Sequence, residues 1–301
     1  MNSNSKGKNI DKSFIFVLIT AFCFGTMEIA LKLGGGSFSA LQITFLRFLI
    51  GGLFLLLFAV RDVKKKSIKI TKGDIIYITI LGIVGICISM TCFQLGVMNC
   101  NANTAAVIIS SNPVFTMIFA HYIVKEPFTV RKAIVLVISI IGLIFVADPV
   151  DMAEGNTSKG LLYTFIAAVM FALYTALGKL RVAKLGGMVQ NSGSFLIAAA
   201  IEFIIVLVKG DPVISGITFH SLPVLLYTGI VVTGIGYFAY LKAIELSGPS
   251  NASVAFFIKP VIAVILAQII LGEPVRWNIV FGVCLILIGS LINMLGARHN
   301  K

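Results

Sequence analysis

Stretches of about 20 mostly apolar residues recur along the whole chain, and this length crosses a ~30 Å hydrocarbon layer as an α-helix. We place ten such stretches, at residues 13–33, 39–60, 74–95, 103–124, 131–147, 160–178, 189–208, 222–243, 250–271 and 277–296. With 58% hydrophobic and 12% charged residues, the chain has too little polar surface for a soluble domain with a single core. The sequence therefore predicts an all-α integral membrane protein with ten transmembrane helices.

The lysines and arginines indicate how these helices are oriented. If the N-terminus is cytoplasmic, eighteen of them fall on the cytoplasmic side, and only Lys32, Lys159, Lys209 and Arg276 lie at external helix ends. Membrane proteins show this positive-inside bias. It predicts a multi-pass protein of the plasma membrane with both termini cytoplasmic, and it explains the net charge of +12 without nucleic acid as a partner.

The chain contains an internal duplication at an offset of 147 residues. Residues 103–127 align without gaps on residues 250–274. The identical pairs include Ala105 and Ala252, Pro113 and Pro260, Glu126 and Glu273, and Pro127 and Pro274. The same offset superimposes Phe24 on Phe171, Phe48 on Phe195, Gly82 on Gly229 and Gly142 on Gly289. Because the same offset aligns pairs along the whole chain, the sequence indicates two related halves.

The two halves cover residues 12–147 and 160–295, and each contains five of the predicted helices. Because five is an odd number, the second half enters the membrane from the opposite face, so the halves are predicted to be inverted repeats. Two similar folds of opposite orientation can exchange conformations, which is the basis of alternating access. The alternative is that the repeat is only a stable way to build a helical bundle, since channels also contain such repeats.

Several segments resemble one known family. They are "FCFGTMEIALKLG" in the first predicted helix, "LRF" at residues 46–48, "GYFAYLKAIE" in the eighth helix, and a proline-centred helix followed by Glu-Pro in each half. On these segments the chain resembles the EamA family of the drug/metabolite transporter superfamily. The resemblance implies a ten-helix carrier of small metabolites, often amino acids or related compounds, with a central cavity between the halves. The chain departs from the family pattern at Phe24, where tryptophan is frequent, and at Lys259, where a small or polar residue is common.

Lys259 is the most informative single residue, because it lies near the middle of an apolar helix. An ammonium group there costs about 2.5–3.5 kcal/mol on insertion scales. One hypothesis is that Lys259 faces a water-filled cavity and binds an anionic group of a substrate, or takes part in proton coupling. The alternatives are a structural ion pair and a side chain that reaches toward the membrane surface. Its counterpart Asn112 is neutral, and Asn112 and Glu28 are further candidates for substrate binding. The adjacent Pro260 and Pro113 predict a hinge in each half beside a central site.

Two carboxylates are predicted to lie within the membrane, where each should be protonated or paired. Glu28 could neutralise Lys259, but it also precedes Lys32 by one helical turn, so a local ion pair is the alternative. Glu202 has no charged neighbour within a turn of its own helix. It is predicted to be neutral or paired across helices, with a role in coupling as the functional alternative.

Arg47 and two tyrosines complete the set of candidate residues. Arg47 carries a planar, permanently charged fork that suits helix-end carbonyls or a substrate carboxylate. Its match to the "LRF" segment of the family favours a structural anchor. Tyr237 and Tyr240 share a segment with Gly234 and Gly236, which allow close approach of helices, so they are candidates for an aromatic wall of the cavity. The alternative for these tyrosines is a position at the membrane interface.

The predicted function is secondary transport of a small polar metabolite such as an amino acid or an organic anion. The sequence has no phosphate-binding loop, which argues against transport driven by ATP in this chain. Three histidines lie scattered at positions 121, 220 and 299, so neither an enzyme nor a metal or cofactor site is predicted. A channel or a non-transporting membrane scaffold is the alternative. The predicted partners are the substrate and the lipid bilayer, and the protein is predicted to be a monomer or a homodimer.

Overall fold

The structure is a computed structural model that describes residues 3–34, 37–147 and 154–299. These residues form helices joined by turns, and no β-strand occurs within those ranges. We number the helical stretches in chain order and join segments that are separated by two residues or fewer within one predicted span. The stretches are α1 (Ser3–Gly25 and Met27–Gly34), α2 (Ala40–Lys66), α3 (Lys72–Gly82, Ile83–Met90 and Thr91–Asn99), α4 (Ala102–Ile109 and Asn112–Val124), α5 (Val130–Ala147), α6 (Ser158–Leu185), α7 (Gly187–Lys209), α8 (Leu222–Leu226, Tyr227–Gly236 and Tyr237–Ser247), α9 (Pro249–Ala252 and Ala255–Leu271) and α10 (Trp277–His299).

Eight of these stretches, α1 to α4 and α6 to α9, are long and apolar enough to cross a membrane. This confirms the prediction of an all-helical membrane protein. α5 has 18 residues, and the apolar part of α10 covers Trp277–Gly289, so the count of ten transmembrane helices stays a prediction. Large apolar side chains face outward, as contact with lipid requires: Leu57 and Val208 are 72% and 82% exposed.

The internal duplication is visible in local structure at the start of α3 and of α8. The Thr71 hydroxyl accepts a hydrogen bond from the Asp74 N–H, and the Asp74 carboxylate accepts one from the Thr71 N–H. Thr218 and Ser221, which align with Thr71 and Asp74, exchange the same two kinds of hydrogen bond. The Thr71–Asp74 pair is a capping box at the start of α3, and the Thr218–Ser221 pair closes a turn directly before α8. Both helices then contain a π-helical segment, at Ile83–Met90 and Tyr227–Gly236.

The packing of the helices is also repeated when the two halves are exchanged. α2 packs on α7, α4 on α9 and α5 on α10. α1 packs on α8 as α6 packs on α3, and α1 packs on α9 as α6 packs on α4. Aligned aromatic rings meet between the halves, with centroids 4.9 Å apart for Phe48 and Phe195 and 6.4 Å apart for Phe24 and Phe171. The two halves therefore share one buried core.

Two glutamates at aligned positions join the ends of α4 and α9. Glu126, which follows α4, accepts a hydrogen bond from the Ser250 hydroxyl near the start of α9. Glu273, which follows α9, accepts hydrogen bonds from the N–H groups of Ala102 and Asn103 at the start of α4, at 2.7 and 3.0 Å. Each helix therefore ends beside the beginning of the other, so α4 and α9 run antiparallel.

Candidate functional site

The candidate site begins at an interruption of α1. The two segments of α1 are separated at Thr26, which places Glu28 in the first turn of the second segment. Gly25 lets α9 come close, because a Cβ atom there would lie 2.9 Å from the Ile262 side chain and 3.3 Å from the Lys259 carbonyl oxygen. This close approach of α1 and α9 brings the side chains of Glu28 and Lys259 together.

Lys259 and Glu28 form an ion pair between α9 and α1. The Lys259 Nζ donates to the Glu28 Oε1, and both side chains are 0% exposed. The ammonium also lies 5.3 Å from the ring centroid of Phe93 and 5.8 Å from that of Phe256, within the range of cation–π attraction. Glu28 therefore pairs across helices with Lys259 and not with Lys32 on its own helix. Lys259 thus forms the buried ion pair that was the alternative for it, and its contact with a water-filled cavity stays a prediction.

Arg47 adds a second buried cation to this pair. Its side chain is 0% exposed, its Nη1 lies 3.3 Å from the Met27 sulfur, and its guanidinium lies 4.8 Å from the Phe48 ring centroid. Because Met27 directly precedes Glu28, this contact places the Arg47 guanidinium beside the ion pair. We call Glu28, Arg47 and Lys259 the charged cluster. It holds two cations and one carboxylate in a part of the bundle that is closed to solvent.

Three polar atoms of the charged cluster have no hydrogen-bond partner among the described residues. They are the Glu28 Oε2 and the Arg47 Nε and Nη2. Nearly all buried polar groups in proteins are hydrogen-bonded, and leaving one unpaired costs about 1–3 kcal/mol. The free nitrogens of Arg47 form one edge of the guanidinium, the geometry that binds a carboxylate with two parallel hydrogen bonds. The cluster is therefore chemically incomplete as it stands.

The two predicted tyrosines lie in the aromatic core beside the cluster. Tyr237 is 1% exposed, and its ring centroid is 5.0 Å from that of Phe24 and 5.1 Å from that of Phe195. Tyr240 stacks on Phe171 at 5.7 Å, and its hydroxyl lies 2.9 Å from the Thr175 hydroxyl. Both tyrosines are therefore buried between the halves, and their role as a cavity wall stays a prediction.

The counterpart of Lys259 has a different environment. The Asn112 amide donates to the Ala168 carbonyl at 3.4 Å, and its Oδ1 accepts from the Thr116 hydroxyl at 3.0 Å. These bonds tie Asn112 to α6 and to its own helix, so the structure places it in a satisfied polar contact. Thr175, the counterpart of Glu28, donates to the Phe171 carbonyl at 2.8 Å.

The two aligned prolines do not occupy equivalent places in their helices. In α4 the chain leaves the helix after Ile109, and Pro113 is the second residue of the new segment. In α9 the interruption lies at residues 253–254, and Pro260 is inside the segment Ala255–Leu271. The interruptions therefore differ by four residues, about one helical turn, relative to the proline. A hinge role for Pro113 and Pro260 stays a prediction, but the two hinges would not be alike.

Glu202 lies in α7 and is 1% exposed. Its Oε1 accepts a hydrogen bond from the Thr91 hydroxyl at 2.7 Å, and its Oε2 has no partner among the described residues. Thr91 follows the π-helical segment of α3 directly. Glu202 is therefore paired across helices with a neutral group, at a position separate from the charged cluster.

Two further polar residues, which were not among the candidates from the sequence, lie in unusual environments. Gln94 in α3 is 0% exposed, and both polar atoms of its amide lack a partner among the described residues. Asp74 is buried and forms ion pairs with Arg181, at 2.5 Å, and with Lys184. Asp74 has a sequence signal in its capping position after Thr71, whereas a lone glutamine in an apolar stretch has none. Within the described residues no group of three or more His, Cys, Asp or Glu side chains could hold a metal ion.

Comparison with known proteins places these features in a wider context. Residues 11–147 and 158–295 match the sequence profile of the EamA-like transporter family. An uncharacterized transporter of Clostridium kluyveri is 38% identical over 288 residues, which cover 94% of this chain and 93% of that protein. The uncharacterized transporter YoaV of Bacillus subtilis is 23% identical, with 96% of this chain and 99% of that protein covered. A crystal structure with 15% sequence identity has a TM-score of 0.72 over 97% of this chain and 99% of its own, which shows a shared fold.

Proposed function

The chain belongs to the EamA-like transporter family, and from this membership we propose that it is a secondary transporter of a small polar metabolite. Its apolar helices make it a multi-pass membrane protein, and the names of its relatives point to transport rather than to catalysis. The proposed protein lies in the plasma membrane with both termini cytoplasmic. It moves an amino acid or an organic anion by alternating access, without a bound cofactor.

The proposed mechanism uses the two halves as inverted five-helix repeats. The antiparallel course of α4 and α9 supports it, as do the reciprocal contacts of Glu126 and Glu273. The repeated packing of the other helices supports it as well. In such an arrangement each half can adopt the conformation of the other, which exchanges an opening on one side of the membrane for an opening on the other.

The observation that carries the proposed substrate is the set of unpaired atoms in the charged cluster. A substrate carboxylate fits the free edge of Arg47, because its two oxygens match the Nε and Nη2 donors. A substrate ammonium fits the free Oε2 of Glu28. An amino acid carries both groups and satisfies all three atoms, whereas an organic anion satisfies only Arg47. We therefore propose an amino acid as the first candidate and an organic anion as the second.

Ligand-induced thermal stabilisation of the purified protein tests this proposal. The probes are the common amino acids, each with its matched acid lacking the amine and its matched amine lacking the carboxylate. We expect the cognate amino acid, at about 100 times its Kd, to raise the unfolding temperature by several degrees. The matched acid should act weakly and the matched amine not at all. If the matched acid stabilises as strongly as the amino acid, the assignment of Glu28 is wrong and the organic anion becomes the first candidate. If the matched amine does so, the assignment of Arg47 is wrong.

The variant Lys259→Met separates charge recognition from general stabilisation by ligands. Removal of the ammonium makes the cluster neutral overall, so stabilisation by anionic ligands should fall strongly. Lys159→Met, the same change at a lysine predicted to be external, is the matched control and should keep the response of the wild type. An equal response of the wild type and Lys259→Met to anionic ligands would contradict recognition by the cluster.

Transport itself is tested with the stabilising ligand in proteoliposomes. A carrier gives saturable exchange of radiolabelled substrate and accumulation that depends on an imposed gradient. A channel gives flux that does not saturate in this way, and a scaffold gives none.

The proposed orientation is tested with single cysteines introduced at Lys66, Lys184 and Asn156. Impermeant reagents added to intact cells should label the last position alone.

We propose Glu202 as the candidate for proton coupling. Its carboxyl group is buried, has one free oxygen and is held by the neutral hydroxyl of Thr91, so it can gain and lose a proton without breaking an ion pair. Glu202→Gln should abolish accumulation driven by a pH gradient and preserve exchange of substrate at equal concentrations. Loss of both activities, or of neither, would assign Glu202 to structure instead of coupling.

A further inference from the structure

A cavity of about 210 Å³ lies near the C-terminal ends of α1 and α3, separate from the charged cluster. Its lining residues are Leu31, Lys32, Val97 and Met98. Leu31 and Val97 are buried, whereas Met98 is 41% exposed and Lys32 is partly exposed. The cavity therefore connects the surface at this end of the bundle with the edge of the core.

Both walls of the cavity continue directly to the charged cluster. On α1, Lys32 follows Glu28 by four residues, which is one helical turn or ~6 Å. On α3, Val97 follows Phe93 by four residues, and the ring of Phe93 contacts the Lys259 ammonium. The inner end of the cavity thus lies about one turn above the ion pair on two independent helices. The cavity and the ion pair are therefore neighbouring sites along both α1 and α3.

Gln94 lies on α3 in the helical turn between Phe93 and Val97. It lies three residues before Val97 and next to Phe93, on the turn between the cavity and the ion pair. Its amide is completely buried, yet neither its oxygen nor its nitrogen has a hydrogen-bond partner among the described residues. A buried amide without partners is costly, and it is suited to bind a polar molecule that passes.

Lys32 supplies the charge of the cavity. The carboxylate one turn before it, Glu28, is occupied by Lys259, and Lys32 forms no ion pair with any residue whose side chain the structure describes. An unpaired ammonium beside low-dielectric walls attracts anions into the cavity. The sequence places Lys32 at the end of α1 that is predicted to be external.

We propose that this cavity is an external capture site, in which Lys32 binds the anionic group of a substrate before the substrate reaches the charged cluster. The proposal rests on the proposed transport function and extends it to the first step of binding. Lys32 holds the anionic group at the surface, Gln94 offers a hydrogen bond one turn deeper, and Arg47 and Lys259 receive the group in the core. The ligand class is a small molecule with a carboxylate or another compact anion.

Charge-selective labelling tests the capture site without any transport assay. Met98→Cys places a thiol on the cavity wall, and two methanethiosulfonate reagents of similar size serve as probes, one with a sulfonate and one with a trimethylammonium group. Site-resolved mass spectrometry on protein in nanodiscs gives both labelling rates at position 98, corrected for the intrinsic reactivity of each reagent. We expect the anionic reagent to be favoured, and the additional change Lys32→Gln to lower that preference about tenfold.

Two controls define the outcome. Lys32→Arg keeps the charge and should keep the preference, and Lys159→Gln removes another lysine predicted to be external and should leave the preference unchanged. A preference that Lys32→Gln does not alter, or a thiol at position 98 that neither reagent reaches, would overturn the capture site. In intact cells the thiol should react with impermeant reagent, and reaction only after permeabilisation would overturn its external position. These results are independent of whether flux is observed, so they separate failure of the capture site from failure of the transport proposal.

Discussion

The two halves place opposite kinds of residue at aligned positions of the same core. The aligned pairs are Glu28 and Thr175, Arg47 and Ser194, and Lys259 and Asn112. On one side the helices bury three charges, and on the other side the equivalent helices pack around three neutral polar groups. Because the neutral side folds in the same way, the charges are not needed to hold the helices together.

The hydrogen bonding of the two sides differs in the same sense. Asn112 and Thr175 find protein partners for their side chains. The charged cluster leaves three polar atoms unpaired. Buried ion pairs often contribute nothing net to stability, since the cost of desolvation offsets the attraction. The charged arrangement is present on one side only and is not explained by a gain in stability, which supports the proposal that the charged side binds the substrate.

Asp74 and Ser221 form a second aligned pair, with a charged residue at the start of α3 and a neutral one at the start of α8. Asp74 completes the capping box of α3, and Ser221 closes the aligned turn directly before α8. Asp74 also binds Arg181 and Lys184 after its cap is complete, whereas Ser221 donates to the carbonyl of Gly216. The charged contact ties α3 to the end of α6, and it lies on the side of the membrane predicted to be cytoplasmic.

The largest effect is expected from breaking the ion pair. Lys259→Met leaves the Glu28 carboxylate buried without its partner, and we expect a loss of about 3–5 kcal/mol in the free energy of unfolding. Glu28→Gln should act similarly. The double variant Glu28→Thr/Lys259→Asn copies the neutral side, so it should recover most of the loss. Unfolding in detergent, followed by circular dichroism, measures all three.

The neutral side supplies the control for this cycle. Asn112→Ala removes two ordinary hydrogen bonds and should cost about 1–2 kcal/mol. A double variant that stays as unstable as the single variants would mean that the charged side cannot adopt the neutral packing. In that case the ion pair would be structural, and the contrast between the two sides would lose its functional meaning.

The next largest effect on stability is expected at the aligned residues Asp74 and Ser221. Asp74→Asn removes the charge that holds Arg181 and Lys184 and weakens the cap, so the unfolding temperature should fall by several degrees. Ser221→Ala removes the hydrogen bonds of an uncharged hydroxyl and should cost about 1 kcal/mol. Added salt should reduce the difference between the two variants, because both cations are partly exposed. Equal effects at all salt concentrations would show that only the hydrogen bonds matter.

A smaller effect is expected from Arg47→Lys, which keeps the charge and loses the planar fork. If the free edge of Arg47 binds a substrate carboxylate, affinity for the cognate ligand should fall about tenfold. Calorimetric titration of the purified variant measures this change. Ser194→Ala, at the aligned position, is the matched control and should leave affinity unchanged. An unaltered affinity in Arg47→Lys would return this residue to the role of structural anchor.

The sequence predicts the helices and the two halves better than it predicts which side chains form ion pairs. The offset of 147 and the apolar stretches give the helices and the two halves, because span length and repetition are local or periodic properties. Lys259 stands out for the same reason, as a charge in an apolar stretch. The sequence does not identify its partner, because Glu28 is 231 positions away and could equally pair with Lys32 on its own helix. The partner is set by the close approach at Gly25, which depends on tertiary packing.

The smallest effects are expected where the two halves agree. Glu126 and Glu273 each reach the beginning of the equivalent helix in the other half, where a negative charge is favoured by the helix dipole. Glu126→Gln and Glu273→Gln keep the size of the side chain and lose the charge. Each should cost about 1 kcal/mol, and the two values should agree within about 0.5 kcal/mol.

Equal costs for the two variants are informative because they test whether the two halves are equivalent, whatever the strength of each contact. Glu273 accepts two backbone N–H groups, whereas Glu126 accepts a serine hydroxyl and lies 3.4 Å from the Lys132 ammonium. If the halves are mechanically equivalent at the ends of α4 and α9, these different partners must give similar stabilisation. A cost several times larger at one glutamate would show that one end of the bundle is held more firmly than the other. The asymmetry would then extend beyond the charged cluster to the contacts that join the halves.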